Sequence, residues 1–220
     1  MLFGKLRPAD IRYLWRGLLL TLQLCGGGIL IGLLIGIVVG ILRTNHRSKI
    51  LRYISAAYIE FFRSVPLMLL FIVAYFGIVS LGYNVSRFVS VLAAFSLYNG
   101  AYIGEVVRAG IESVDHGQWE AATAMGMSYP QVLRYVILPQ AVRIMIPPAI
   151  GVVIAAVKAS SLASVVGYTE MLLAARHVIQ RTYAPLLVMG SISVVYFIIC
   201  YPLSLASKEL ERRQQKNANA

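Results

Sequence analysis

The sequence predicts an all-α integral membrane protein, and three observations predict it. Of 220 residues, 59% are hydrophobic and 13% are charged, about half the charged share of an ordinary soluble domain. The charges are also unevenly spread, leaving long stretches with none. Finally, the basic excess (20 Lys+Arg against 9 Asp+Glu, net +11) is scattered between apolar runs. A nucleic-acid-binding module would gather such residues on one solvated face. Basic residues that punctuate apolar runs instead mark the water-facing loops of a membrane protein. Cys25 and Cys200 both lie inside apolar runs without metal-ligand spacing, so neither a disulfide framework nor a cysteine metal site is expected.

A helix needs roughly 20 apolar residues to cross a hydrocarbon core of about 30 Å. The first such stretch is Gly17 to Leu42, 26 residues without a charge, giving a first span at 17–42. It is too long for the core of a signal peptide, which runs to about 15 residues. Gly28, Gly32, Gly36 and Gly40 recur every four residues and share one helix face. Such a face admits a close neighbour, either within the chain or in a second copy. Ahead of it, residues 1–16 mix Lys5, Arg7, Arg12 and Arg16 with Leu6, Ile11, Leu14 and Trp15. That mixture fits an interfacial segment.

The second span is 64–86, 23 residues without a charge. The third is 88–107, with an uncharged stretch from Phe88 to Gly104. The fourth, 142–164, starts around Pro147-Pro148 and is interrupted by Lys158. A fifth covers 182–207, and 208–220 forms a polar tail. Five spans put the termini on opposite sides. With the N-terminus outside, 12 of the 20 basic residues fall in the cytoplasmic segments, as the positive-inside rule favours.

The longest hydrophilic interruption, 108–141, does not read as a loose loop. Gly117 to Met125 is rich in helix formers and stops at Gly126. Ser128 can cap a second short helix with Pro130 in its first turn, ending near Pro139. Two short helices joined at a glycine turn make a compact cytoplasmic element. It serves either to dock a partner or to cover the chain's own helix ends.

Glu120-Ala121-Ala122, then Gly126, then Ile137-Leu138-Pro139 closely resembles the EAA motif of ABC-importer permease subunits. Phe62-Arg63-Ser64-Val65-Pro66-Leu67 is similar to the Phe-Arg-x-x-Pro-Leu pattern of the polar amino-acid uptake branch. Ala101-Tyr102-x-x-Glu105-x-x-Arg108-Ala109-Gly110-Ile111, Gly117-Gln118, Leu138-Pro139-Gln140-Ala141 and Gly17-x-x-x-Thr21-Leu22 match that branch as well. The resemblance covers roughly residues 13–210. One position departs: where the branch often carries Asp after the lysine, Ala159 stands before Ser160-Ser161-Leu162.

The resemblance implies a type I importer permease in a bacterial inner membrane, with a second, identical or homologous permease beside it. Two ATPase subunits would bind ATP and Mg, and a periplasmic or lipid-anchored protein would deliver the amino acid. No cofactor is expected in this chain, which has no Gly-x-x-x-x-Gly-Lys-Ser/Thr phosphate loop. Glu120, Ala121, Ala122, Gly126, Ile137, Leu138 and Pro139 would couple it to the ATPases. Small Ala121 and Ala122 would let the helix sit deep, Glu120 would offer a charged hydrogen bond, and Gly126 would permit the exit turn.

Ionisable residues inside spans are costly and point to function. Candidate substrate-path residues are Asn99, Tyr102, Lys158, Ser160, Ser161 and Glu170. Lys158 would meet a carboxylate, pair with Glu170, or snorkel to the interface. Asn99, Tyr102, Ser160 and Ser161 would hydrogen-bond a substrate or pack between helices. Glu105 and Arg108, three apart, pair on one helix, and Arg63 anchors its span. His46, His116 and His177 are scattered without metal spacing. A stand-alone channel or secondary transporter is the alternative. It would show paired broken helices in two matching halves, which five unequal spans do not provide.

Overall fold

A computed structural model describes residues 6–45 and 48–218, with side chains up to Gln214 in the last helix. Lys5, His46 and Arg47, counted above among the loop residues, lie outside the described residues, as does the side chain of Lys216. The chain forms eight helices among the described residues. They are α1 (Pro8–Arg43), α2 (Lys49–Ser64), α3 (Leu67–Ser80), α4 (Arg87–Glu112), α5 (His116–Ala124), α6 (Tyr129–Val166), α7 (Met171–Thr182) and α8 (Pro185–Ala218). Three of them, α1, α6 and α8, are individually long and apolar enough to cross a membrane. The pair α2 and α3, bent by 101° at Val65-Pro66, makes a fourth candidate. α4 is 26 residues long, enough for a crossing of about 39 Å. It carries Asn99, Glu105 and Arg108, and it packs against α1, α2 and α6.

The central contact joins α1 to α4. A Cβ on Gly28 would lie 2.4 Å from Phe95, on Gly32 2.9 Å from Asn99, on Gly36 2.6 Å from Ile103 and on Gly40 2.6 Å from Val107. Each glycine thus faces the residue 67 positions further on, so the two helices run parallel in fixed register. The glycine face is used within the chain.

Residues 8–16 are the first turns of α1, with no break before the apolar run. Pro8 stands in the first turn, and the Arg7 backbone N–H donates to Asp10 Oδ2 at 2.7 Å. Nothing between Arg16 and Gly17 breaks the helix. α7 lies beside this end of α1. Arg181 Nε donates to Asp10 Oδ1 at 2.9 Å, Tyr13 and His177 share a 2.8 Å hydrogen bond, and Ala174 abuts Gly17.

The helix that carries the fourth span begins far ahead of Pro147-Pro148 and continues through Pro139. Two adjustments, at Pro139 and at Pro147, bear on this, and a further bond ties α8 to α6. A wider π-turn, Val132–Ile137, precedes Pro139, and the Gln140 side chain donates to the Val136 carbonyl at 2.9 Å. Proline at 147 leaves the carbonyl of residue 143 without its helical partner, and the Gln214 side-chain amide donates to it. Ser207 Oγ donates to the Pro147 carbonyl at 3.2 Å. Gly167 (φ +75°) then ends α6 and turns the chain into α7.

Candidate functional site

The polar insert folds onto the end of α6. Asp115 caps α5, its Oδ1 accepting from the Gly117 N–H at 2.7 Å. The inner face of α5 rests on a core that includes Ile111, Val114, Val132, Leu133 and Ile137. Trp119 stacks on Tyr129 with ring centroids 6.0 Å apart, and the Tyr129 hydroxyl donates to the Thr44 carbonyl at 3.4 Å. The element is thereby fixed to the end of α1 as well as to α6.

Its outer face is open. The Glu120 side chain is 73% exposed, with Oε1 3.1 Å from His116 Nδ1, and Met125 is 83% exposed. Ala121 is exposed beside them, whereas Ala122 is 4% exposed. The two alanines therefore do different things. Ala122 does not offer itself to a partner; its small size lets α5 lie close on its own subunit. Gly126 adopts φ +80° with open space around it, so backbone conformation alone calls for glycine there. Of the remaining motif residues, Ile137 is fully buried beneath α5, Leu138 packs half-buried against the same core and Pro139 is exposed.

A second feature lies between α4 and α6, a groove of about 350 Å³. α4 contributes Tyr98, Asn99, Tyr102 and Val106, and α6 contributes Pro148, Gly151, Val152, Ala155, Ala156 and Ala159. Both sets follow helical spacing. The Tyr98 hydroxyl donates to the Tyr102 hydroxyl at 3.2 Å, and the buried Asn99 donates its amide to the Phe95 carbonyl at 2.8 Å. Nothing approaches a Cβ built on Gly151. At the end nearer the insert, Arg63 lies over the Tyr102 ring, 5.6 Å from its centroid. Glu105 beside it is held by Arg108, through Nε at 2.9 Å and Nη2 at 2.6 Å.

Of the six expected substrate-path residues, Asn99 and Tyr102 line this groove and the other four do not. Lys158 faces a separate cleft of about 460 Å³ between α6 and α8, with Tyr196, Cys200 and Tyr201 among its walls. Ser160 is fully buried and donates to the Val157 carbonyl, and Ser161 donates to the Lys158 carbonyl, each at 2.8 Å. Glu170 is fully buried as the cap of α7, accepting from the Leu172 and Leu173 N–H groups at 2.7 Å each. No described ion pair joins it to Lys158. Sequence reasoning missed the wall from Pro148 to Ala159. Its signal was a stripe of small residues at helical spacing, hidden among other apolar residues.

The described residues hold no cluster of three His, Cys, Asp or Glu side chains fit for a metal. Residues 28–215 match the family described as the binding-protein-dependent transport system inner membrane component. The chain belongs to that family. It is accordingly a multi-pass inner-membrane permease component, and its family is one of transport rather than catalytic subunits. It is 34% identical over 209 residues to YckA of Bacillus subtilis (strain 168), a probable amino-acid ABC transporter permease protein, covering 95% of this chain and 92% of that one. It is 31% identical to the glutamate/aspartate import permease protein GltK of Escherichia coli O6:H1, covering 93% and 94%.

Among solved structures, an amino acid ABC transporter crystallised with histidines superposes with a TM-score of 0.85 at 30% identity, covering 92% of this chain and 94% of that one. An inward-facing structure of the MetNI methionine ABC transporter shares the fold, with a TM-score of 0.77 at 24% identity over 94% and 99% of the two chains. The permease has the type I importer fold.

Proposed function

We propose that this permease is the membrane subunit of an ATP-driven importer for a polar amino acid handed over by an extracytoplasmic binding protein. One observation carries the reading. The helix that underlies the exposed EAA element is the same unbroken helix, α6, that forms one wall of the groove. A partner seated on Glu120, Ala121 and Met125 would be connected through α6 to the path a solute takes.

Two ATPase subunits would occupy that surface on the cytoplasmic side, binding ATP and Mg themselves. A second permease, identical or related, would complete the path, since one chain offers only an open groove. The N-terminus would lie outside and the C-terminus inside, which places the EAA element with the larger share of basic residues. The relatives named as amino-acid, glutamine or glutamate/aspartate permeases support the substrate class.

The test is reconstitution of the permease with its ATPase and binding protein in liposomes. ATP-dependent accumulation of an amino acid is expected, with none in the absence of ATP. Uptake by the permease alone in ATP-free liposomes would overturn the reading. Gly151→Leu supplies a sharper check, because its Cβ would enter open space in the groove with nothing within 4 Å. Uptake is expected to fall about tenfold or more, while co-purification with the ATPase is unchanged. The loss corresponds to at least about 1.4 kcal/mol.

A further inference from the structure

We infer that the first turns of α1 hold a site for an anionic lipid, with its phosphate on Arg12 and Arg16 and its acyl chains along the same helix face. A cavity of about 340 Å³ opens there, lined by Ala9, Arg12, Tyr13 and Arg16. The two arginines are four residues apart, so they stand one above the other on the helix. Neither enters a hydrogen bond or ion pair among the described residues. Asp10, the one carboxylate on α1, is already engaged: Oδ1 accepts from Arg181 Nε at 2.9 Å and Oδ2 from the Arg7 N–H at 2.7 Å. Glu170, whose backbone lies against Gly17, has both side-chain oxygens on the first N–H groups of α7. Like charges at this spacing repel, and an anion between them removes that cost. Guanidinium forks match the oxygens of a phosphate on parallel bonds. In the orientation proposed above, this end of α1 lies on the side where basic residues are disfavoured, so topology does not account for the pair.

The face of α1 beyond the cavity decides the source of the phosphate. At helical spacing from Arg12 and Arg16 it continues as Leu19, Leu30 and Leu34, which are 49%, 60% and 61% exposed. A Cβ on Gly26, between them, would meet nothing within 4 Å. Gln23 on this face is polar but uncharged. Trp15, 60% exposed, flanks the arginines, as an indole does in the headgroup layer. One open face is therefore cationic in its first turns and apolar for several turns beyond. Inorganic phosphate would use the arginines alone, and an acidic protein surface would gain nothing from exposed leucines. A lipid with an anionic head uses both parts of the face.

The test uses full-length Trp119→Phe permease, in which Trp15 is the only tryptophan left. In detergent it is titrated with brominated phosphatidylglycerol or brominated phosphatidylcholine, and bromine beside the indole quenches its fluorescence. Phosphatidylglycerol is expected to bind about tenfold or more tightly, each arginine contributing about fivefold. The double variant Arg12→Gln/Arg16→Gln should bring the two lipids to about equal affinity, and the double lysine variant should keep part of the preference. Arg176→Gln removes an exposed arginine of neighbouring α7 that does not line the cavity, and it should leave the preference unchanged. An equal fall in Arg176→Gln would reveal diffuse surface charge rather than a site, and no preference in the parent would mean no site at all. Displacement of the lipid by inorganic phosphate, beyond that caused by chloride at matched ionic strength, would make free phosphate the ligand. No quenching by either lipid would mean that protein covers the face. Each of these results overturns the proposal. A separate arm measures ATPase activity of the complex, stimulated by the binding protein, in phosphatidylcholine nanodiscs with both native tryptophans present. Equal activity of wild type and the double glutamine variant is expected there, and loss in the variant would assign the arginines to the binding protein instead.

Discussion

Gly36→Val is expected to destabilise the permease severely. The first atom of the new side chain would lie 2.6 Å from both Cβ and Cγ2 of Ile103 and 2.9 Å from the Gly100 carbonyl oxygen. The last of these is backbone and cannot swing aside. Because α1 and α4 touch at four glycines in one register, relief at Gly36 requires separating the pair along its length. Overpacking of this kind costs about 3 kcal/mol or more at the upper end, against a total stability of about 5–15 kcal/mol. Gly26→Val is the matched control, since the same substitution in the same helix meets nothing within 4 Å. The yield of monodisperse protein and the midpoint of thermal unfolding in detergent read the difference. Equal values for the two variants would show that the close approach of the helices is not what holds the permease together.

Changes on the EAA element are expected to act in the opposite way, sparing the fold and removing transport. Glu120 contacts only His116 among the described residues and is largely exposed, so Glu120→Lys disturbs no core. It reverses the charge at the proposed ATPase contact, and uptake should fall to background. Gly126→Val forces a β-branched residue into a left-handed backbone, at a cost of about 1–2 kcal/mol confined to one turn. That turn sets the direction in which the chain leaves α5, so coupling should fail while membrane insertion persists. Gly126→Asn should retain substantial uptake, because asparagine tolerates the left-handed region. ATP-driven uptake, measured beside the amount of assembled complex, checks all three. Normal coupling in Glu120→Lys would remove the docking role.

Much of this architecture was legible beforehand, and the parts that were not have physical causes. The apolar runs, the glycine face and the helix ending at Gly126 depend on local composition and spacing. The α6 prolines misled because proline's cost depends on neighbours distant in sequence. Gln214 of α8 supplies a replacement for the hydrogen bond that Pro147 removes from α6, and nothing near residue 147 announces it. Ala121 and Ala122 were indistinguishable as letters, although one is exposed and the other buried. Lys158 drew attention for its charge, yet the groove is walled on α6 by small residues that draw none. The contact of Arg63 with Tyr102, 39 positions away, was not legible. Their proximity follows from the bend at Val65-Pro66 and the packing of α2 on α4.

The continuity of α6 has a consequence in plain leverage. Its 38 residues make a rod about 55 Å long at 1.5 Å per residue. A tilt of about 5° at the EAA end would displace the far end by about 5 Å, close to one helical turn. An adjustment that small at the cytoplasmic surface would shift the wall at Ala159 relative to Tyr98 by a distance comparable to the width of an amino acid. If the proposed coupling holds, the unbroken helix would let a modest movement at one membrane face become a change of access at the other.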